Sequence, residues 1–534
     1  MKMFVWRQLV YVAILTAWAG VACGELQNVQ VGGEIRIRGR YWEGGWAGAP
    51  IQPIPAQWAR GRSLGPFGLT SMYNWDNRRY ITQQIAPGVW RRSKVDTGRA
   101  YVEQRTALHV KADFTQNVSA YVDIHDFTIW GEDFRSDYVT GADRRANTSN
   151  DVEIYQGYIE ADQIFGVPLR LRLGRQELVM GKGWLVGNMI SPVLGMSFDA
   201  ARLTYTHDMF SVDAFAAKLV ETMAWDDDVN LFGVYAAYTD FAPLQVAGYY
   251  FWVRDARKID DSPNSSPILN WVEDILGYNN YNDTHLHTVG LRLNGKHWGF
   301  DYDAEVAYQF GEADQVGALF RRFPGGYGDQ HARWDNWATD VEVGYTVDVK
   351  CKPRFFIGGA YYQGDDNRDM SFFDWINPFN TKGKASVSFN RLFSNLWYSS
   401  IFDILGGASA LTNFYQVRGG ATVNITDSVS TGLRVAQYWI DATFDLPVTW
   451  GNIPIASVFP FMTKPAKNDL GTVATLWLKY NYTEDIFITV GWEHMFTGRG
   501  VDGGSYIMKH GLEYAGGTNN RDADYIWFDT GIKF

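Results

Sequence analysis

From residue 28 onward, apolar and polar residues alternate with a period of two, the signature of a strand with one apolar and one polar face. The stretch Val31 to Trp42 sets the pattern. Val31, Gly33, Ile35, Ile37, Gly39 and Tyr41 fall on one face; Glu34, Arg36, Arg38, Arg40 and Trp42 fall on the other. Further copies run through 100–114, 118–130, 152–162, 168–177, 197–206, 210–220, 230–238, 245–254 and 285–295. The rest are 299–311, 334–348, 353–364, 412–425, 429–440, 470–482, 486–496 and 523–534. Together they make about eighteen strands, an even number within the range of bacterial single-chain barrels.

The connections alternate between short and long. Thr115-Gln116-Asn117, His207-Asp208-Met209, Asn294-Gly295-Lys296 and Thr426-Asp427-Ser428 read as tight turns, because Asn, Asp, Ser and Gly tolerate turn geometry. Long connections cover roughly 43–98, 131–151, 178–196, 255–284, 312–333, 365–411, 441–469 and 497–522. Short periplasmic turns and long extracellular loops in strict alternation are the pattern of an outer-membrane barrel. The predicted class is therefore all-β: a transmembrane antiparallel β-barrel with both termini in the periplasm. The segment 43–98, with Pro50, Pro53, Pro55 and Pro66, suits either a lumenal constriction or a surface loop.

Composition sharpens this picture. Aromatic residues make up 16% of the chain; a soluble protein this aromatic would bury most of its Trp and Tyr, whereas a barrel sets them outside in girdles at the membrane interfaces. Beyond the N-terminus there is no apolar run of the ~18 residues that a spanning helix needs. Lys2 and Arg7, the apolar run from Leu9 to Trp18, and the small residues Ala17, Ala19, Gly20, Ala22 and Gly24 read as a signal peptide over residues 1–24. Residues 25–534 then form a single barrel domain. Cys23 invites a lipoprotein reading, but Gly20 stands where a lipobox usually has Leu. The last stretch carries Ile526, Phe528, Ile532 and Phe534 on one face, and its aromatic end resembles the signal read by the barrel assembly machinery. Expected surroundings are outer-membrane lipid and lipopolysaccharide, with a periplasmic partner as an open option. The net charge of −11 argues against nucleic acid.

If the apolar face meets lipid, the polar face lines the pore. That face carries Arg36, Arg38, Arg40, Arg105, Arg170, Arg172, Arg175, Arg202, Arg292, Arg354, Arg418 and Arg434. Guanidinium is permanently charged and grips carboxylate, phosphate or sulfate through paired bonds, so these residues suit an anionic solute. Glu34, Glu103, Asp123, Glu160, Asp301, Asp303, Glu305, Asp340, Glu342, Glu493 and Asp529 share the same faces. Two readings stay open: the acids neutralise the arginines and hold a wide barrel, or a net cationic path survives. With arginines concentrated early and acids between 299 and 348, the pattern also allows a transverse field across the lumen.

Other motifs carry no chemistry. Asp226-Asp227-Asp228 lacks calcium-loop spacing, His285 and His287 have no third metal ligand nearby, and Gly181-Lys182-Gly183 is not a phosphate loop. No serine sits in a nucleophile elbow, so neither an enzyme, a cofactor nor a metal is expected.

Several stretches resemble the alginate-export family of outer-membrane porins. They are Leu173-Gly174-Arg175-Gln176-Glu177-Leu178, Trp184-Leu185-Val186-Gly187-Asn188 and Ser197-Phe198-Asp199-Ala200-Ala201-Arg202-Leu203, with Ala200 where the family has Gly. Trp492-Glu493-His494-Met495-Phe496-Thr497-Gly498 resembles its penultimate strand. The resemblance implies an eighteen-stranded porin with an Arg-rich lumen for a polyanionic sugar. It also implies Arg175 and Arg202 as lumenal positions, with Asp199 as the partner of Arg202. The lumenal acids depart from a purely cationic pore, so the solute is left open between an anionic and a saccharide one. The alternative function is a general or structural barrel that acts as a scaffold for an envelope partner.

Overall fold

The computed structural model closes eighteen antiparallel strands into one barrel. They are β1 (Asn28–Gly44), β2 (Arg99–Phe114), β3 (Val118–Ile129), β4 (Glu153–Ala161), β5 (Leu169–Gln176) and β6 (Phe198–Thr206). Next come β7 (Phe210–Val220), β8 (Val229–Tyr238), β9 (Gln245–Asp255), β10 (Thr284–His297), β11 (Phe300–Glu312) and β12 (Arg333–Thr346). The last are β13 (Arg354–Tyr362), β14 (Phe414–Asn424), β15 (Val429–Ile440), β16 (Asp469–Asn481), β17 (Ile486–Thr497) and β18 (Ala523–Lys533). The structure describes these strands, most of their turns and parts of the long connections. It does not describe residues 1–25, most of 45–98, 115–116, 242, or stretches within 131–151, 189–194, 224–226, 258–280, 320–328, 366–386, 402–410, 444–466 and 501–521. The signal-peptide reading and most of the 43–98 segment lie outside the described residues.

Each strand pairs with its sequence neighbour, and β18 returns to β1 in a register running from Glu34↔Lys533 to Gly44↔Ala523. No strand edge of the barrel is left open, so the ladders pair backbone donors and acceptors all the way round the wall, with irregularities at Lys218/Val220, Tyr438/Trp439 and Asp123/Ile124. Each alternating stretch of the sequence is a strand. One predicted turn is not: Asn294, Gly295 and Lys296 continue β10 and pair with Asp303, Tyr302 and Asp301. The chain reverses instead at Trp298 and Gly299, whose φ values of 49° and 83° give the two consecutive left-handed residues of a tight hairpin.

The two faces of the wall differ as the alternation requires. On the outside, Val31, Ile159, Leu173, Leu203, Ile357 and Val417 stand exposed in an apolar belt. Their neighbours Arg38, Arg40, Glu103, Arg105, Glu160 and Arg418 are buried. Exposed large apolar side chains on every strand would be a liability in water and are the matched surface in hydrocarbon.

The inner face is not uniformly polar, which corrects the expectation from alternation. On the long-connection side it carries Phe215, Leu231, Tyr235, Tyr249, Phe251, Tyr362, Phe414 and Tyr438, all buried. They pack against two connections that fold inward, around 177–188 and 385–401, and so form a core inside the barrel. Apolar side chains can face a lumen where the chain itself displaces the water.

Candidate functional site

β1, β2 and β18 bring one set of charges together. Arg36 forms a bidentate pair with Asp529, with Nε to Oδ1 at 2.9 Å. Arg40 Nε and Nη2 donate to Glu103 Oε1 at 2.8 and 2.6 Å, and its Nη1 donates to Tyr525 Oη at 3.1 Å. Arg38 stands between them, 3.6 Å from Glu103 and 3.7 Å from Asp529. Arg105 Nη2 donates to Glu34 at 2.5 Å, while its Nε and Nη1 are buried without a partner. The ladder Arg36–Arg38–Arg40 borders a cavity of about 490 Å³ together with Trp397, Lys479, Trp527 and Lys533. Among the described lining residues, five cations (Arg36, Arg38, Arg40, Lys479, Lys533) face two acids (Glu34, Asp529).

On the opposite side of the ring, β10 to β14 hold the reverse balance. Arg292 pairs with Asp303 at 2.5 Å, and Arg354 pairs with Asp301 at 2.5 Å and Glu342 at 3.0 Å. Arg418 meets Asp340 at 3.0 Å and Glu342 at 3.1 Å. Lys182, carried in by the first inward loop, reaches Asp303 at 2.7 Å, Asp340 at 2.9 Å and Glu305 at 3.9 Å.

The remaining arginines are also held. Arg172 donates to Glu160 at 2.5 Å and lies 4.3 Å over the Tyr158 ring. Arg170, half exposed near the short-turn end, pairs with Asp162 at 2.5 Å. Arg434 is 4.0 Å from Glu493. Asp199 does not pair with Arg202. It pairs with Arg175 at 2.8 Å, directly across the β5–β6 ladder, whereas Arg202 reaches Asp213 on β7 at 2.8 Å. The reason is parity. Asp199 shares its face with Ala201 and the exposed Leu203, and Arg202 points to the other side. Arg175 and Asp199 are themselves exposed, on the strand faces of Leu173 and Leu203. His285 and His287 lie on an aromatic stack with Tyr250, Trp252 and Phe310, as polar members of a ring-rich patch.

Two connections narrow the lumen, and alternation gave no sign of them. Val186 and Phe393 form a parallel bridge, with Gly187 N donating to Phe393 O at 2.9 Å and Phe393 N to Leu185 O at 2.8 Å. Asn395 N donates to Gly183 O at 2.8 Å. Trp184, fully buried, donates Nε1–H to Tyr362 Oη at 2.7 Å. Tyr362 and Tyr398 share a bond at 2.8 Å, and Tyr398 donates to Asp340 at 3.0 Å. The second loop is clamped to β11 by Gln309, whose amide both donates to Asn390 O and accepts from Asn390 N at 2.7 Å. On the far side Ser399 donates to Glu493 of β17 at 2.5 Å. It therefore spans the barrel. Arg391, with no exposed surface, stacks over Tyr362 and Tyr398 at 5.1 and 5.2 Å. One signal was available in the sequence: both connections are too apolar for solvent-facing loops, with Leu178, Met180, Trp184, Leu185 and Val186 in one and Phe389, Leu392, Phe393, Trp397 and Tyr398 in the other.

A family model described as alginate export matches residues 89–505. No curated protein matches the chain in sequence. Among solved structures, OccAB2 of Acinetobacter baumannii is 11% identical with a TM-score of 0.46, over 96% of this chain and 100% of that one. OpdQ of Pseudomonas aeruginosa is 10% identical with a TM-score of 0.46, over 94% and 97%. OccD3 of the same organism is 10% identical with a TM-score of 0.45, over 96% and 93%.

Proposed function

The chain belongs to the alginate export family and is an outer-membrane β-barrel, and from that premise we propose that it is a channel passing an anionic or saccharide solute along the β1 side of its lumen. The observation that carries the reading is the cavity beside Arg36, Arg38 and Arg40, where cations outnumber acids and Trp397, Tyr525 and Trp527 offer ring faces. A wall with a surplus of one sign concentrates the opposite ion. Guanidinium binds carboxylate or sulfate in two bonds, and indole or phenol rings suit the apolar faces of sugars. The inward loops would leave the solute a track between Trp397 and the ladder instead of an open water-filled bore.

The test is single-channel recording in a planar bilayer under a salt gradient. An anion-selective reversal potential that collapses toward zero in Arg36→Gln/Arg38→Gln supports the reading and directs attention to acidic sugars. A second reading, a general or scaffolding barrel, is favoured by the pairing of each sequence-predicted arginine with a carboxylate and by the loops packed across the lumen. It requires a closed or cation-selective barrel whose behaviour ignores the arginine changes.

A further inference from the structure

A larger cavity, about 690 Å³, lies at the long-connection end of the barrel. One side is the short helix α1 (Asp314–Leu319), which follows β11. It is tied down by Ala313 N donating to Ala332 O at 2.8 Å, Asp329 N to Gly317 O at 2.9 Å and Gln315 N to Thr284 Oγ1 at 2.9 Å. The other side is formed by the start of β12 and the beginning of the second inward loop. These bonds tie the described part of the lining to β10 and to the residues leading into β12.

Its charged lining is acidic: Glu312, Asp314, Asp329, Asp335 and Asp365, against Arg333 and His331. Several of these acceptors are already engaged. Asp329 accepts from His331 N and Ala385 N at 2.9 Å each, Asp335 from Tyr308 Oη at 2.6 Å, and Asp365 from Val387 N at 2.8 Å. Two are not. Asn336, only 4% exposed, donates its amide N–H to Val387 O at 2.6 Å and leaves its Oδ1 with no partner. Asp314, only 6% exposed, forms neither a hydrogen bond nor an ion pair with the described residues. Burial, with Glu312 and Asp329 close by, pushes its carboxyl up to about 7. A buried acceptor without a donor, as Asn336 Oδ1 is, costs about 1–3 kcal/mol, and such groups are rare in native proteins unless something else meets them.

What would meet them must bring positive charge and N–H donors. A bare metal ion does not suit the site, because among the described residues no three His, Cys, Asp or Glu side chains converge closely enough to hold one. The acceptors are spread around a space of the size that holds a small organic molecule. We propose that this cavity binds a small organic ammonium solute, such as an amino sugar or a short diamine, whose N–H groups donate to the Asp314 carboxylate and to Asn336 Oδ1. The site is separate from the arginine-bordered cavity and holds whether or not that cavity passes anions.

The test uses the full-length barrel purified in detergent and titrated calorimetrically with glucosamine, 1,4-diaminobutane and neutral N-acetylglucosamine. Binding of either ammonium compound, with N-acetylglucosamine about tenfold weaker or worse, is the expected result. Which of the two binds separates an amino sugar from a simple amine. Asp314→Asn, nearly isosteric, should weaken binding about tenfold while the barrel keeps its folded, heat-modifiable electrophoretic migration. Absence of binding by both ammonium compounds, equal binding of glucosamine and N-acetylglucosamine, or unchanged affinity in Asp314→Asn would overturn the proposal.

Discussion

At the residue scale, the arginines of the barrel wall are held as pairs and networks. Glu103 is the clearest case: Arg40 donates to one of its oxygens twice, Arg38 stands 3.6 Å away, and all three side chains are less than a tenth exposed. Truncating one partner leaves the others as buried, uncompensated charge, which typically costs about 3–5 kcal/mol. Glu103→Ala is therefore expected to lower the temperature at which the purified barrel loses its heat-modifiable migration. Glu103→Gln should lower it less, because a hydrogen-bond acceptor remains. Had the pair been an exposed one, neither change would register. The facing of these side chains follows from parity, but their partners do not. Arg36 finds Asp529 across 493 residues of chain, and Asp199 finds Arg175 where Arg202 was expected.

At the element scale, the inward loops decide how much of the lumen is open. Trp184 is their anchor. It is fully buried, bonded to Tyr362, and stacked near Phe389 at 6.5 Å between ring centroids. Replacing a buried Trp with Ala removes about 3–5 kcal/mol of packing. Trp184→Ala is expected to release the first loop and raise single-channel conductance with added current noise, whereas the strand content seen by circular dichroism stays the same. Unchanged conductance would mean that the loop does not limit the path. Lys182→Met removes the ion pairs to Asp303 and Asp340 and should act in the same direction.

For the whole molecule, the solvent outside the wall is hydrocarbon. Ile357 sits mid-strand on β13 with 64% of its surface exposed, flanked by the equally outward Phe355. An arginine at the bilayer midplane costs roughly 2–4 kcal/mol in a barrel of this kind. Ile357→Arg should therefore reduce the fraction that folds into lipid vesicles, read by protease protection. An Ala substitution at the same place should have little effect. Closure completes the design: the β1–β18 ladder satisfies backbone groups that lipid cannot, so weakening that seam threatens the entire barrel and not one hairpin alone.

The amino-acid sequence by itself determined the strands, their number, the two-residue alternation of faces and the alternation of short and long connections, though it set Arg175 and Asp199 on the wrong face. These follow from local rules, because a pleated chain sends neighbours to opposite sides and turn residues mark where it reverses. It misplaced the β10–β11 turn, since Asn294-Gly295 has turn composition yet the left-handed backbone falls at Trp298-Gly299. Only the tertiary structure decided which carboxylate holds which arginine, because register between strands is fixed by the closed ladder and not by spacing along the chain. It also decided that two apolar connections fill the lumen, since an apolar loop gains the same burial wherever it excludes water, and only the closed wall supplies that place.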